Sequence, residues 1–171
     1  AKTQLELSAR TDFLTGLYNR RYMIEQLEEQ IERCRCAGER FAIGLVDLDH
    51  FKHVNDQYGH DSGDEALRII ARRLCNSVRD TDLVARWGGE EFLIAFTGAS
   101  RQEAASLAER IRIAVAQTTI AYGGRQLKLT LSAGVAVYQP DQSLDELIKA
   151  ADDALYVAKG SGRNCVVVFP Q

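Results

Sequence analysis

The sequence predicts an α+β fold, in which helices flank a mixed, largely antiparallel sheet of the ferredoxin-like or palm type. The 171 residues are 46% hydrophobic and 26% charged, which is enough for one globular unit with its own core. The predicted elements follow in the order β, α, β-hairpin, α, β, α, β. Because the hairpin forces antiparallel neighbours into the sheet, a purely parallel arrangement is excluded.

The first ten residues predict the end of a helix that enters from an upstream region. The segment AKTQLELSAR begins without a cap and carries Leu5 and Leu7 without a full apolar stripe. We therefore interpret residues 1–10 as the end of a helical linker and residues 11–171 as the domain itself.

A helix and a buried strand are predicted next. The stretch RYMIEQLEEQIERCRCAG has one apolar face and is ended by Gly38. That face consists of Met23, Leu27 and Ile31. The stretch FAIGLVDLD is short and dense in Ile, Val and Leu, which is typical of a buried strand, and it ends with Asp47 and Asp49.

The stretch HFKHVNDQYGHDSGDEALRIIARRLCNSVR predicts a polar, glycine-punctuated loop that gives way to a helix. The inward positions of that helix are Leu67, Ile70, Ala71 and Leu74. Residues 82–87 and 91–96 are predicted to form a hairpin around Gly88 and Gly89.

The remainder of the chain predicts two helices and two strands. A helix covers SRQEAASLAERIRIAVAQ, and an alternating strand covers KLTLSAGVAVY. A helix opened by Ser143 covers SLDELIKAADDALYVAKG, and a final strand covers NCVVVF.

Charge and hydropathy exclude several classes of protein. The formal net charge of -3 gives no general attraction to nucleic acid or to an anionic membrane. The longest apolar runs, FLIAF and CVVVF, are far shorter than the roughly 20 residues that span a bilayer. The four cysteines form no C-x-x-C pair, so we expect reduced thiols in a cytoplasmic protein.

Three acidic residues are predicted to converge at one end of the sheet. Asp47 ends the first strand, and Glu90 and Glu91 begin the hairpin arm that we expect beside it. Carboxylates without cationic neighbours repel each other unless a hard divalent cation neutralises them, and oxygen ligands favour Mg²⁺ or Mn²⁺ over Zn²⁺. Gly88 and Gly89 would let the backbone approach a phosphate closely.

A purely structural explanation of these residues is also open. Gly88 and Gly89 fit an ordinary type I′ hairpin turn, and acidic residues after a turn are usually solvated. Asp47 and Asp49 would then be only a strand end and a helix cap for HFKHVND.

Four motifs carry a resemblance to a known family. RWGGEEF resembles the signature of the GGDEF family, the diguanylate cyclases, in its GGEEF form. DFLTGLYNRR is similar to that family's opening motif, DLDHFKHVNDQYGHDSGDEAL to its nucleotide-binding stretch, and ADDALYVAKGSGRN to its closing motif. The resemblance spans residues 11 to about 169. It implies a nucleotidyl-cyclase-like fold and a GGDEF domain over residues 11–171.

The resemblance also implies a reaction. Two GTP molecules, one on each protomer of a homodimer, condense into cyclic di-GMP and two pyrophosphates, each 3′-hydroxyl attacking the α-phosphate held by the other protomer. In the family's pattern Asp47 and Glu90 ligate Mg²⁺ (or Mn²⁺) with help from the Leu48 carbonyl. Glu91 is a further metal ligand or assists deprotonation of the hydroxyl. Such ions offset the triphosphate charge and lower the pKa of the attacking hydroxyl.

By the same resemblance, Asn55 and Asp64 recognise guanine. A carboxylate accepts hydrogen bonds from the N1–H and 2-amino groups, a donor pair that adenine lacks, so Asp64 favours GTP over ATP. The alternative is that the two residues only cap turns around Gly59 and Gly63.

The triphosphate contacts implied by the resemblance are Phe51, Lys52, Lys159 and Arg163. Lys159 also lies at the end of a predicted helix, where a cation is favourable for that reason alone. Arg86 either reaches an α-phosphate or pairs across the hairpin. His60 belongs to the nucleotide-binding stretch, where we expect it to support the loop by hydrogen bonding.

RDTD matches the family's RxxD inhibitory site, in which Arg79 and Asp82 bind the product cyclic di-GMP. Arginine offers a fork to phosphate and guanine, and aspartate accepts from the guanine N1–H. Arg110, on the following helix, is our choice for the second arginine of that site. An exposed Arg–Asp pair at this spacing is otherwise commonplace.

Two alternative functions stay open. One is a non-catalytic signalling module that binds cyclic di-GMP or GTP, and the other is a cyclase that acts on one nucleoside triphosphate or makes mixed dinucleotides. The presence of Glu90, Glu91, Asn55 and Asp64 favours the diguanylate cyclase. We expect a bacterial cytoplasmic protein with an upstream sensor or regulatory region, through which any membrane attachment would occur, and no nucleic-acid partner.

Overall fold

The computed structural model describes residues 3–170, and a five-stranded sheet forms its centre. The elements in chain order are α1 (Gln4–Arg10), α2 (Arg20–Ala37), β1 (Phe41–Leu48), α3 (Phe51–Tyr58), α4 (His60–Ser77), β2 (Leu83–Arg86), β3 (Glu91–Thr97), α5 (Arg101–Ala116), β4 (Ile120–Tyr122), β5 (Arg125–Leu127), β6 (Leu131–Val137), α6 (Leu144–Gly160) and β7 (Val166–Phe169). The strand order is β2-β3-β1-β6-β7, and only the β6–β7 pairing is parallel. The predicted α+β fold with a mixed, largely antiparallel sheet is confirmed.

Helices cover both faces of the sheet and divide the core in two. On one face, α4 and α5 pack through a cluster that includes Leu74 and Ile111. On the other face, α2 and α6 pack through a cluster that includes Leu27 and Leu147. All eight residues of β1 are buried, as a strand covered on both sides requires. The alternation predicted for β6 is wrong for the same reason, since every residue before Val137 is buried.

The polar stretch after β1 is helical, where the sequence predicts a loop. Phe51 and Val54 are buried and Tyr58 is half-buried, and this spacing forms the narrow apolar stripe of α3. Gly59, with φ of 88°, separates α3 from α4. The prediction is wrong because most residues of α3 are polar, so the helical spacing of its few apolar residues was not recognised.

The chain contains two Gly-Gly pairs at hairpins, and they differ in conformation. Gly123 and Gly124 both have positive φ, 57° and 78°, and join β4 to β5 as the two central residues of a tight turn. Gly88 and Gly89 have no positive φ, and their hairpin has a longer loop that extends to Glu90. The type I′ explanation of Gly88 and Gly89 is therefore wrong, and the β4–β5 hairpin is an element that the sequence analysis missed.

Capping residues set the ends of several helices. Ser143 opens α6 through a capping box with Glu146, as predicted for this helix start. The predicted absence of a cap on α1 is wrong, because Thr3 and Glu6 also form a capping box. The interpretation of residues 1–10 as a linker stays a prediction, and the first two of them lie outside the described residues.

Two further properties concern the described residues as a whole. No helix in residues 3–170 is long and apolar enough to cross a membrane. All four cysteines are free thiols.

The close packing of α6 on β6 generates a stability prediction. A Cβ on Gly134 would lie 2.1 Å from the Ala151 carbonyl oxygen and 2.3 Å from the Leu155 nitrogen. Because both atoms belong to backbone, Gly134→Ala must displace α6, and we expect a loss of about 3 kcal/mol or more in the free energy of unfolding. Urea denaturation measures this loss.

Gly160→Ala is the matched control, since Gly160 ends the same helix and a Cβ there meets no atom within 4 Å. We expect its unfolding free energy to stay within about 1 kcal/mol of the wild-type value. Equal stability of the two variants would contradict the packing argument.

Candidate active site

The register of the sheet brings the predicted acidic residues to one end. Asp47 on β1 pairs directly with Glu91 on β3. The Leu48 N–H donates to the Glu90 carbonyl at 3.2 Å, which places Glu90 beside the end of β1. The predicted convergence of these residues therefore follows from one antiparallel ladder, in which opposed Cβ atoms lie about 5 Å apart.

A lysine partly balances this concentration of negative charge. Lys159 Nζ, on α6, lies 2.5 Å from Asp47 Oδ2. Burial raises the pKa of the Glu91 carboxyl, the charge of Asp47 raises it further, and Lys159 opposes the shift. Lys159 therefore gives the acidic cluster a cationic neighbour that the sequence analysis did not place beside Asp47.

The donor set at this sheet end suits a hard divalent cation. Within residues 3–170, no three His, Cys, Asp or Glu side chains stand close enough together to hold a metal ion as they are placed. Two carboxylates nevertheless face each other across the β1–β3 ladder, and burial, together with the charge of Asp47, raises the pKa of Glu91. Oxygen donors of this type fit Mg²⁺ or Mn²⁺, and the cation would take over from Lys159 as the counter-charge of Asp47.

A cleft of about 270 Å³ adjoins the carboxylates. It brings together most of the residues predicted to contact metal or triphosphate, namely Asp47, Leu48, Phe51, Lys52, Glu90, Lys159 and Arg163. The first turn of α3 borders it, and the N–H groups of a first helical turn have no partners within the helix. His50, with φ of 56°, makes the sharp entry into α3. Cations and backbone donors thus surround a space next to the acidic cluster.

Asn55 and Asp64 lie on two helices that pack against each other, Asn55 on α3 and Asp64 on α4. A Cβ on Gly63 would lie 1.8 Å from the Asn55 Oδ1 atom, so the glycine makes room for this carboxamide. Gly63 is therefore a packing residue inside a helix, and the turn-capping alternative is wrong for this pair. His60 is the first residue of α4, is exposed, and is not among the residues that line the cleft.

Arg86 holds the Gly88–Gly89 loop in place. Its guanidinium donates twice to the Gly89 carbonyl, at 2.8 and 3.3 Å, and it pairs with Asp12 at 3.3 Å. The Gly88 N–H donates to the Glu91 carbonyl, whereas the Gly89 N–H has no backbone partner among the hydrogen bonds within residues 3–170. A Cβ on Gly89 would meet no protein atom within 4 Å, so the protein itself does not require a glycine there.

Asp12 and Arg20 support the same loop, and the sequence analysis missed both. The Arg20 guanidinium lies 4.2 Å from the centre of the Trp87 ring and donates to the Trp87 carbonyl. Asp12 accepts hydrogen bonds from the backbone and hydroxyl of Thr15, and these contacts lower its pKa against the opposing effect of burial. The one feature of the sequence that could have pointed to Asp12 is its place in the opening motif DFLTGLYNRR.

Asp49 has a structural role that the sequence analysis did not find. Its buried carboxylate accepts hydrogen bonds from the hydroxyls of Thr130 and Ser132, at 2.7 and 2.6 Å, and from the Asn164 N–H at 3.0 Å. These contacts tie the end of β1 to the start of β6 and to the segment after α6. Asp49 is therefore neither a simple strand end nor a side-chain cap of α3.

Arg79 and Asp82 form a close ion pair in the connection between α4 and β2. The Arg79 guanidinium donates to both Asp82 carboxylate oxygens, at 2.8 and 3.1 Å, and to the Thr97 carbonyl at 2.9 Å. The Asp82 side chain is fully buried, whereas that of Arg79 is 35% exposed. Arg110 donates to the Ser77 carbonyl at 2.9 Å and does not line the cavity of about 370 Å³ beside Arg79.

Comparison with known proteins gives a consistent result. The family profile described as "Diguanylate cyclase, GGDEF domain" matches residues 9–165. Response regulator PleD from Caulobacter vibrioides (strain NA1000 / CB15N) is 45% identical over 166 residues, which are 95% of this chain and 36% of PleD. Diguanylate cyclase DgcM from Escherichia coli (strain K12) is 44% identical over 164 residues, which are 96% of this chain and 39% of DgcM. The chain thus spans little more than a third of the length of these curated relatives.

Solved structures agree with the sequence relatives. The coiled coil and GGDEF domain of DgcB from Caulobacter crescentus, in complex with c-di-GMP, superposes with a TM-score of 0.92 at 30% identity. That match covers 96% of this chain and 88% of the other. Because the profile match extends over nearly the whole chain and its curated relatives exceed 40% identity, this chain belongs to the GGDEF domain family of diguanylate cyclases.

Proposed function

We propose that this domain condenses two GTP molecules into cyclic di-GMP and two pyrophosphates, with each protomer of a homodimer holding one GTP. The observation that carries the proposal is the direct pairing of Asp47 with Glu91 at the edge of a cation-lined cleft. The family membership and the similarity to a curated diguanylate cyclase support the same activity.

The cleft provides the groups that a triphosphate needs. Lys52, Lys159 and Arg163 supply positive charge around it, and the first turn of α3 supplies backbone donors. The open space over Gly89, with its unpaired N–H, suits the close approach of a phosphate oxygen. We assign Phe51 a backbone contact for the same reason, since it is the first residue of α3.

Base recognition is assigned to the pair of helices beside the cleft. Asp64 accepts from the N1–H and 2-amino groups of guanine, and Asn55 bonds the O6 or N3 edge. Gly63 leaves room for the Asn55 carboxamide, because a Cβ there would clash with its Oδ1 atom. This arrangement supports selection of GTP over ATP, because adenine would leave the Asp64 carboxylate without donors.

Asp47, Glu90 and the Leu48 carbonyl are the groups we assign to a divalent cation, Mg²⁺ or Mn²⁺. When bound, such a cation supplies charge neutralisation for the triphosphate and lowers the pKa of the attacking hydroxyl. Glu91, whose pKa is raised by burial and by Asp47, is placed to accept a proton from that hydroxyl or to act as a further ligand. Lys159 bridges the two sets of groups, since it contacts Asp47 and also lines the cleft.

The first test is incubation of concentrated protein with GTP and Mg²⁺, followed by mass analysis of the nucleotides. We expect cyclic di-GMP from the wild type, and a rate at least about 100-fold lower from Asp47→Asn, which keeps the size of the side chain and removes its charge. Matching thermal denaturation curves would show that the variant folds. A full rate in Asp47→Asn would contradict the assignment, and intact GTP with bound cyclic di-GMP would identify a receptor module instead.

The raised pKa of Glu91 generates a pH prediction. Because the folded state disfavours the charged carboxylate, the wild type loses stability as the pH rises through the folded-state pKa, whereas Glu91→Gln has no charge to bury. Without divalent cation, we expect equal melting temperatures near about pH 4 and a higher melting temperature for Glu91→Gln near about pH 7.5. Mg²⁺ should stabilise the wild type more than the variant.

Glu28→Gln is the control for this comparison, because Glu28 is an exposed glutamate on α2. Its melting temperature should follow the wild-type value at every pH and Mg²⁺ concentration. A pH-independent difference between Glu91→Gln and the wild type would count against the coupling of Glu91 to Asp47.

We also propose that Arg79, Asp82 and Arg110 form a site at which cyclic di-GMP inhibits the enzyme. Arg79 is partly exposed beside a cavity, and the fully buried Asp82 fixes its guanidinium through two hydrogen bonds. Arg110 bonds to the carbonyl of Ser77, two residues before Arg79, which supports its choice as the second arginine.

Replacing Arg79 tests this inhibitory site. We expect Arg79→Ala to raise the cyclic di-GMP concentration for half inhibition by about tenfold or more, because it removes a charge-assisted fork. Arg68→Ala is the matched control, since Arg68 is an exposed arginine of α4 that pairs with Glu65 at the same sequence spacing. Inhibition curves of the wild type and the variants are obtained from initial rates measured with added cyclic di-GMP. If the curves of Arg79→Ala and the wild type superimposed, the assignment of this inhibitory site would be contradicted.

A further inference from the structure

The segment between α6 and β7 has an uncommon backbone conformation. Gly162, Arg163 and Asn164 follow each other with positive φ angles of 103°, 64° and 47°. The other non-glycine residues with positive φ in residues 3–170 are His50 and Asp141, and histidine, aspartate and asparagine adopt this region several times more often than other types. Arg163 is therefore the residue whose conformation needs an explanation. Such residues persist only where surrounding contacts hold them, and they cluster at functional sites.

Arg163 also lines the cleft beside the acidic cluster, so its backbone conformation determines from where its guanidinium starts. Two backbone contacts hold the segment. The Arg163 N–H donates to the Ala158 carbonyl at 3.1 Å, and the Asn164 N–H donates to the Asp49 carboxylate at 3.0 Å. These bonds attach the segment to the end of α6 and to the residue that follows β1.

A side chain of α5 holds the same segment from another direction. Arg112 Nη1 donates to Asn164 Oδ1 at 2.7 Å. Because a guanidinium has donors only, the carboxamide oxygen must be the atom that faces it. Glu109, one turn earlier on α5, accepts hydrogen bonds from Arg112 Nε, at 3.0 Å, and from Nη2, which leaves Nη1 for Asn164. Asn164 is thus bonded through its backbone to Asp49 and through its side chain to Arg112.

Arg112 itself stands apart from the groups assigned to GTP. It is not among the residues that line the cleft, and α5 carries no residue assigned to metal or substrate. Its connection to the cleft runs through Asn164, the chain neighbour of Arg163. Any effect of Arg112 on substrate binding must therefore pass through the conformation of this segment.

We propose that Arg112 is a positioning residue for nucleotide binding: by holding the Asn164 carboxamide, it keeps Arg163 in the left-handed conformation from which its guanidinium reaches the triphosphate. This inference rests on the proposed function, which assigns Arg163 to the triphosphate. The contact between Arg112 and Asn164 is called the loop clamp below.

The loop clamp acts by preorganisation. Without it the segment can leave the disfavoured conformation, although every group that touches the triphosphate is still present. The apparent affinity then falls in proportion to the fraction of molecules that have Arg163 in its binding conformation. Because Arg163 would contact the triphosphate in the bound substrate as well as during the reaction, the loss should appear in KM more than in kcat.

The decisive experiment measures nucleotide binding without turnover. Calorimetry with Mg²⁺ and 3′-deoxy-GTP, which lacks the attacking hydroxyl, is run on the wild type, Arg112→Met, Arg163→Ala and the double variant. We expect Arg112→Met to weaken binding by about fivefold and Arg163→Ala by about tenfold or more, since the latter removes a charge-assisted contact. The double variant should bind no more weakly than Arg163→Ala, because the loop clamp then has no guanidinium to position.

Two further measurements separate the loop clamp from other effects of Arg112. Asn164→Gly removes the carboxamide, keeps the net charge and accepts a positive φ, so a loss like that of Arg112→Met cannot come from long-range attraction to the triphosphate. Guanosine has no phosphate, so in NMR titrations it should bind the wild type and Arg112→Met with affinities that agree within about twofold.

Arg101→Met is the matched control, since Arg101 is also on α5 and donates to a carbonyl near the end of the chain, that of Phe169, at 3.1 Å. Its affinity for 3′-deoxy-GTP should equal that of the wild type. The inference is overturned if Arg112→Met and Asn164→Gly bind 3′-deoxy-GTP like the wild type, if the losses of Arg112→Met and Arg163→Ala add in the double variant, or if guanosine affinity falls in parallel. A wild type that shows the expected binding pattern but makes no cyclic di-GMP from GTP would contradict the proposed function and leave the loop clamp supported.

Discussion

The candidate site depends on the position of β1 between β3 and β6. Every residue of β1 is buried, so a one-residue slip would exchange the side chains packed on its two faces. The register fixes Asp47 opposite Glu91 on one side and Ser132 on the other. Asp49 secures the end of the strand through Thr130, Ser132 and Asn164. The packing of β1 in the hydrophobic core thus sets the distance between Asp47 and Glu91, although neither side chain belongs to that core.

The negative charges at this sheet end are partly compensated by the protein itself. Lys159 stabilises Asp47, and Glu91 adjusts through a raised pKa, so the fold tolerates carboxylates that would otherwise repel each other. The loop of Gly88 and Gly89 is held by Arg86 and a chain of contacts that ends in the turn after α1. The site is therefore organised by groups on both sides of the sheet before any ligand arrives.

Sequence reasoning predicted the fold class and the acidic cluster, because apolar runs identify buried strands and the four motifs identify the family. Sequence reasoning was wrong where the residue composition of a segment suggested a backbone conformation other than the one that the segment adopts. The polar residues of α3 concealed a helix that buries only Phe51 and Val54, and the Gly-Gly pair at 88–89 suggested a turn type found instead at 123–124. The contact between Lys159 and Asp47 joins residues 112 positions apart, so no local sequence pattern could predict it.

The ion pair between Lys159 and Asp47 has a thermodynamic consequence for the order in which ligands bind. Lys159 contacts Asp47 and lines the adjoining cleft, so if a cation binds at Asp47 and a phosphate in the cleft, as the proposed function assigns, the cation releases the ammonium group for the phosphate. A phosphate arriving first attracts the same ammonium group and leaves Asp47 with unbalanced charge that a cation can satisfy. Each ligand therefore raises the affinity for the other by the same factor, which is positive heterotropic cooperativity. One lysine side chain couples the two binding equilibria, so that the fully loaded protomer is favoured over either half-loaded form.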